Sequence, residues 1–185
     1  MNLFYLHSDP ILAAQMQCDK HVVKMIVESG QMLSTCHRLL DGTEDMRPSS
    51  TGKTVRKYWE LPDDREDILY KACFMNHPCT VWTRESSANY EWHYKHWVAL
   101  LDEYTFRYGK HHKAEEMRDI LGYLPDNIPQ GPLTPVALAM GNEPQCINEN
   151  DRVQSYRDYY MTKQTRFDMV WSKRPDPDWF VRVAA

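Results

Sequence analysis

The sequence has little of what marks several common protein classes. Its five cysteines form neither a disulfide framework nor a Cys-x-x-Cys zinc pair, which is typical of proteins in reducing compartments. The longest apolar runs, such as VVKMIV at 22–27, are short and interrupted by charge, unlike a membrane span. The first ten residues lack the basic start and long apolar stretch of a signal peptide. We therefore expect an intracellular, cytoplasmic protein that does not enter a membrane.

Glycine motifs for nucleotide binding are also missing from a chain with only seven glycines. The segment TGKT at 51–54 matches the end of a phosphate-binding loop, but Arg47 stands where that loop requires glycine. Neither a Gly-x-Ser-x-Gly nucleophile motif nor a dinucleotide fingerprint occurs. The chain therefore carries no standard signature of a nucleotide cofactor site.

Helical periodicity and helix-terminating residues extend over most of the chain. They predict long helices at 10–40, 78–108 and 151–171, with short helices at 64–74 and 112–121. The segment 122–150 is rich in proline and predicts an irregular wrap over the surface. With 185 residues, 42% of them hydrophobic, one core is expected. The sequence thus predicts an all-α fold, a single domain over 1–185 with about three long helices.

A histidine and a glutamate lie in line on the first long helix. At about 100° per residue, Lys20, Lys24 and Arg38 fall on one basic strip that we expect to face solvent, with His21 and Glu28 at its margin. A carboxylate at such a margin is partly desolvated and has basic neighbours, which suits acid–base or electrostatic catalysis. The alternative is structural: Glu28 pairs with Lys24, and His21 hydrogen-bonds a neighbouring loop.

Charge is unevenly distributed, although the net charge is only −4. The segment 46–59 has four basic residues and no acidic one, and 152–174 is also basic. Together they predict a phosphate-facing surface, with an ordinary solvated patchwork as the alternative. In the tail, Trp179 and Phe180 follow two basic residues, an arrangement that favours stacking on exposed bases.

Two histidines three residues apart, His93 and His96, form a possible metal pair on the second long helix. No third ligand is evident from spacing. Histidines without a ligand motif are more often surface or interface residues.

Four segments, taken in order, resemble one known family. They are MNLFYLHSDP at 1–10, DKHVVKMIVE at 19–28, NHPCTVW at 76–82 and KRPDPDWF at 173–180. The chain resembles the pyrimidine dimer DNA glycosylases, the endonuclease V type of tailed bacteriophages and their bacterial relatives. Together the segments cover less than a third of the chain. Val27 and Gln31 occupy positions at which the phage members have arginines.

This resemblance implies an all-helical enzyme that recognises pyrimidine dimers in double-stranded DNA, cuts the glycosyl bond and then nicks the abasic site. It implies no metal or other cofactor, and a phage-infected host is one possible setting. The nucleophile would be the α-amine of the first residue, Met1, or of Asn2 if Met1 is removed. Glu28 would be the active-site carboxylate, and His21 would hydrogen-bond it or the substrate backbone.

The DNA contacts come from the same resemblance and from the basic segments. We expect them from Lys20, Lys24, Arg38, Lys53, Arg56, Lys57, His77, Arg174, Trp179 and Phe180. Two other hypotheses stay open at this point. One is a non-catalytic helical module that binds nucleic acid or a protein through its tail. The other is a metal-dependent hydrolase that uses His93 and His96.

Overall fold

The computed structural model describes residues 1–49 and 51–183, and α-helices dominate it. The helices are α1 Pro10–Gln15, α2 Asp19–Asp41, α3 Arg65–Ile68, α4 Pro78–Glu85, α5 Ser87–Tyr108, α6 Arg118–Leu121 and α7 Arg152–Met161. Strands β1 Thr43–Pro48 and β2 Val55–Glu60 pair in antiparallel fashion. Short 3₁₀ helices cover Lys113–Met117, Pro144–Cys146 and Thr162–Thr165. Among the described residues, no helix is long and apolar enough to cross a membrane.

The β-hairpin corrects the all-α prediction. Thr43 pairs with Glu60 and Pro48 with Val55, in the segment between the predicted helices at 10–40 and 64–74. Most of the hairpin's side chains are exposed, so the alternation of apolar and polar residues that signals a strand is absent. The basic segment 46–59 therefore lies mostly on a hairpin, with Ser50 outside the described residues.

The first two predicted long helices are each interrupted, because tertiary hydrogen bonds replace helical ones. At the first break, the Cys18 N–H donates to Tyr160 Oη at 2.9 Å, and the Asp19 N–H donates to the Val170 carbonyl at 2.8 Å. At the second break, Ser86 is extended and its hydroxyl caps α5 by accepting from the Asn89 N–H, while the Ser87 N–H donates to the Pro129 carbonyl at 2.8 Å. The described residues thus contain two helices longer than 20 residues, α2 and α5, rather than about three.

The third predicted helix is shorter than expected. It ends as an α-helix at Met161 and continues as one 3₁₀ turn, in which the Thr162 hydroxyl donates to the Tyr159 carbonyl at 2.7 Å. Threonine side chains that bond the backbone compete with helix propagation. The chain after this turn is irregular and leads into the tail.

The core is built on the packing of α2 against α5. Trp97 of α5 is fully buried, and its indole N–H donates to the Ile26 carbonyl of α2 at 2.9 Å. Gly30 lies on the same side of α2, where a Cβ would be tight against the Tyr70 ring at 3.2 Å and the Met117 methyl group at 3.3 Å. This packing determines which side of α2 is buried against α5. The N-terminal segment and the chain after α7 lie against another face of α2.

Candidate active site

The N-terminal segment is anchored to the core without regular secondary structure. Leu3 and Leu6 are fully buried. The Asn2 amide donates to the Ala139 carbonyl at 2.9 Å, and its side-chain oxygen accepts from the Phe4 N–H at 2.9 Å. These contacts determine where residue 1 lies.

The α-amino nitrogen of Met1 lies 3.6 Å from Oε2 of Glu28. The same oxygen accepts from the backbone N–H of Asn2 at 3.2 Å, and Oε1 lies 3.3 Å from Lys24 Nζ. The side chain of Glu28 is 16% exposed, so the carboxylate is partly desolvated but reachable. The amine of Met1 and the carboxylate of Glu28 are therefore close in space, although they are 27 positions apart in the sequence. The alternative pairing of Glu28 with Lys24 is present at the same time.

His77 lies next to this amine. It caps α4 by accepting from the Cys79 N–H at 3.2 Å. Burial and the positive charge of the amine lower the pKa of His77, while the Glu28 carboxylate acts in the opposite direction. The Met1 side chain packs nearby, with its sulfur 3.9 Å from Thr80 Oγ1. His77, which was expected to contact DNA, therefore lies beside the N-terminal amine.

The amine and Glu28 open into a cavity of about 260 Å³. Its lining combines aromatic rings, three cations and the N-terminal residues: Met1, Asn2, Phe4, His21, Lys24, Met25, Glu28, Tyr159, Lys163, Arg166 and Phe167. Four of these residues follow position 158, far from the motifs that pointed to the site. The cavity is large enough for a small group such as a sugar and is lined by more cations than anions.

His21 lines this cavity as a buried, uncharged group. Its Nδ1 lies 2.7 Å from Tyr160 Oη, and its ring stacks on Phe4 at 4.5 Å between centroids. Burial, followed by the charges of Lys24 and Lys163, lowers the pKa of His21 to about 3. Tyr160 and the Phe4 ring thus hold the imidazole as a neutral part of the cavity wall.

Lys163 is a cavity residue that sequence reasoning did not identify. Its side chain is 5% exposed, its Nζ lies 3.3 Å from the centre of the Tyr159 ring, and its nearest oxygen partner is Thr162 Oγ1 at 3.5 Å. Burial and the neighbouring charge of Arg166 lower the pKa of Lys163 to about 8. The basic character of 152–174 was visible in the sequence, but nothing local showed which lysine would face Glu28's cavity.

The family comparison decides what kind of protein carries this cavity. The model of the family described as pyrimidine dimer DNA glycosylase matches residues 1–117. The chain belongs to this family. The resemblance seen in the sequence is confirmed, and the family's substrate is DNA with damaged pyrimidines. No curated protein and no solved structure was found to match the chain.

The matched region of this glycosylase family member contains Met1, Glu28, His21 and His77, whereas Lys163 and its neighbours lie beyond it. On the outer face of α2, Lys20 and Lys24 are exposed as expected. On the hairpin, Lys53, Arg56 and Lys57 are exposed, and Lys57 pairs with Glu44 at 2.7 Å. These side chains are accessible from solvent, and two of them, Lys24 and Lys57, are each paired with a carboxylate.

Arg38 corrects one prediction. It was expected on the solvent-facing strip, but it is 1% exposed. Its guanidinium donates to the Glu66 carboxylate at 2.6 Å and to four backbone carbonyls, those of Trp59, Glu66, Leu69 and Tyr70. The hairpin and α3 cover this end of α2, so Arg38 stabilises their packing rather than facing DNA.

The tail also differs from its prediction as an exposed stacking surface. Phe180 is 8% exposed and packs edge-on against Trp171, and Trp179 is half-buried with its indole N–H 3.5 Å from Met16 Sδ. Arg174 forms two hydrogen bonds to the carboxylate of Glu103, at 2.8 and 2.9 Å. None of these three tail residues lines the cavity around Glu28. The tail folds back onto the helices, because its aromatic rings bury apolar area there.

His93 and His96 are fully buried within the helices. His93 Nδ1 lies 2.7 Å from Thr83 Oγ1, and both ring nitrogens of His96 face protein partners, the Pro10 carbonyl at 3.0 Å and the Gln17 amide at 3.1 Å. In the part of the chain that the structure describes, no group of three or more His, Cys, Asp or Glu is placed to hold a metal ion. The two histidines join α5 to α1 and α4.

Proposed function

We propose that this family member cleaves the DNA strand at the damaged nucleotide as well as the glycosyl bond, through an imine formed by its N-terminal amine. The observation that carries the proposal is the 3.6 Å distance between the Met1 amino nitrogen and Glu28 Oε2, inside a cavity large enough for a sugar. An α-amine is less basic than a lysine side chain, so a larger fraction of it is neutral and nucleophilic near pH 7.

The chemistry uses groups that are present in the cavity. The amine nitrogen attacks C1′ of the deoxyribose, the glycosyl C–N bond breaks, and the base leaves with a proton. The sugar ring opens to an imine. The Glu28 carboxylate stabilises the cationic sugar and then takes the C2′ proton. The C3′–O bond breaks, the 3′ phosphate leaves, and water hydrolyses the imine to restore the amine.

Either of the first two residues can supply this amine. Asn2 donates its backbone N–H to the same carboxylate oxygen, at 3.2 Å. If Met1 is removed, that nitrogen becomes the α-amine and still lies beside Glu28. The proposal therefore assigns the nucleophile to Met1 or Asn2 and the carboxylate role to Glu28. His21, kept neutral by burial and held in place by Tyr160, positions the sugar by packing and by its second ring nitrogen.

The DNA contacts are proposed on the exposed cations near this site and on the hairpin. Lys20 and Lys24 lie on the same helix as Glu28, and Lys53, Arg56 and Lys57 extend from the hairpin. Phosphate contacts of this kind position a duplex without reading its sequence. Damaged bases stack poorly and are the easiest to turn out of the helix toward a cavity.

Trapping with borohydride tests this proposal. The protein is incubated with a duplex that contains an abasic site or a pyrimidine dimer, and reduction converts any imine to a stable protein–DNA adduct. We expect an adduct that maps to residue 1 or 2 by peptide mass spectrometry. A variant with two residues added before Met1 should lose that N-terminal adduct, because its free amine no longer lies beside Glu28. The absence of any adduct from the unmodified protein on both substrates would contradict the proposal.

A further inference from the structure

We propose that Lys163 is a second imine-forming amine of this cavity, which condenses with the aldehyde of an abasic deoxyribose. The inference rests on the proposed function, since it assumes that the sugar enters the cavity beside Glu28. It extends that function by giving the site two amines from opposite ends of the chain.

The first support is position. Lys163 and Glu28 line the same cavity as the N-terminal amine. The lysine reaches it from the 3₁₀ turn at Thr162–Thr165, which follows α7, whereas the first amine belongs to the N-terminal segment. A lysine in such a place has a neighbour that can take the C2′ proton.

The second support is the environment of its nitrogen. The side chain is 5% exposed, yet no carboxylate of the described residues forms an ion pair with it. The Thr162 hydroxyl lies at 3.5 Å, and the face of the Tyr159 ring at 3.3 Å stabilises the ammonium by a cation–π contact but does not neutralise its charge. A buried ammonium without a counter-ion is destabilised relative to the neutral amine.

Burial has the largest effect on the pKa of Lys163, and the charges around it partly cancel. Burial and the cations Arg166 and Lys24 lower its pKa, which Glu143 and Cys146 oppose, and the result is about 8. Roughly a tenth of the molecules then carry a neutral amine at pH 7, against fewer than about one in a thousand for an ordinary lysine. Desolvation and a neighbouring cation are known ways in which a protein turns a lysine into an imine-forming nucleophile.

The proposed step is balanced with water alone. The neutral Nζ adds to the C1′ aldehyde of the open-chain sugar, and the carbinolamine takes up a proton from solvent and loses water to form a protonated imine. Glu28 removes a C2′ proton, the C3′–O bond breaks, and the 3′ phosphate leaves. Hydrolysis of the imine returns the aldehyde and the Lys163 amine.

Mapping of trapped adducts decides whether Lys163 takes part. The full chain is reacted with an abasic duplex and borohydride at several pH values between about 7 and 9, digested, and analysed by peptide mass spectrometry. We expect adducts on the N-terminal residue and on Lys163. The Lys163 adduct should increase as pH rises and reach half its maximum near pH 8, the value to which its pKa is lowered.

Two variants sharpen the result. In the protein with two residues added before Met1, the residual adduct should lie on Lys163, and it should fall to background when Lys163→Arg is added, because arginine keeps the charge but forms no imine. Lys95→Arg, which changes an exposed lysine of α5 outside the cavity, is the matched control and should leave the adduct unchanged.

The outcomes separate the two proposals. An adduct confined to residue 1 or 2 at every pH, with none on Lys163, overturns this inference and leaves the proposed function standing. No adduct on any residue overturns both. Because the mapping uses the unmodified protein, a folding defect in a variant does not affect that decision.

Discussion

Lys24 Nζ lies 3.3 Å from Glu28 Oε1, one helical turn earlier on α2, and so occupies the carboxylate oxygen that does not face the N-terminal amine. The lysine side chain is 59% exposed, so this ion pair contributes little to stability. Its effect is local: it keeps one oxygen of Glu28 engaged and leaves the other for the amine and the substrate.

Glu28→Gln should therefore reduce strand cleavage at an abasic site by about 10²–10⁴-fold, because the amide cannot accept the C2′ proton. The fold should be retained, since glutamine has nearly the same shape and Glu28 lies at the edge of the core. Single-turnover cleavage of an abasic duplex measures the effect. Glu91→Gln on the exposed face of α5 is the control, and equal rates for the two variants would rule out the assigned role.

Arg38→Ala should destabilise the protein without changing DNA affinity per folded molecule. Its guanidinium is 1% exposed and bonds Glu66 and four carbonyls of the hairpin and α3 region. Removing one partner of a buried ion pair costs about 3–5 kcal/mol in free energy of unfolding. Urea unfolding measures the loss, and binding of an abasic duplex at low temperature measures affinity. A stable variant with weakened binding would show that Arg38 faces DNA after all.

Lys53→Ala combined with Arg56→Ala should weaken duplex binding at low salt. Both side chains are exposed on the hairpin, where they are free to displace counter-ions from phosphates. Each lost phosphate contact should reduce the slope of log affinity against log salt by about 0.9. Lys95→Ala, which removes one exposed charge of α5 away from the hairpin, is the control. If affinity and slope are unchanged in the hairpin variant, the hairpin does not contact DNA.

Acid should destabilise the protein before most carboxylates titrate. Burial lowers the pKa of His37 and of His96 to about 4, and that of His21 to about 3, from the ordinary value of 6.5. The unfolded chain therefore binds more protons than the folded one below pH 6.5, so the free energy of unfolding falls as pH falls toward 4. Each of these histidines contributes up to about 1.4 kcal/mol per pH unit in that window.

Urea unfolding between about pH 7.5 and 5 tests this slope. In His96→Gln, the difference in bound protons between the unfolded and folded chain should be smaller by about one, so the slope should be correspondingly shallower. His111→Gln, which changes an exposed histidine, should leave it unchanged. A free energy of unfolding that stays constant over this range would contradict the burial of these imidazoles.

Much of the local structure followed from the sequence because its causes are local. Pro10 and Pro78 begin helices, as their missing N–H and fixed φ allow, and Gly109 ends α5 with a φ of 68°. The alignment of His21 with Glu28 follows from helical periodicity alone, and both line the same cavity. The hairpin did not follow, because its two strands are exposed on both faces.

Periodicity gives the direction of a side chain but not what packs against it. Helical periodicity placed Arg38 in line with Lys20 and Lys24, yet the hairpin and α3 cover it. Phe180 of the tail packs against Trp171 and is buried rather than exposed.

The sequence by itself indicated which regions are helical, the family that the chain resembles and a carboxylate at the edge of a basic strip. Only the tertiary structure decided that the amine of Met1 reaches Glu28 and that Lys163 shares their cavity. The physical reason is that these meetings depend on distant contacts, such as the Asn2 amide on the Ala139 carbonyl and Tyr160 on the start of α2. No local pattern encodes such contacts.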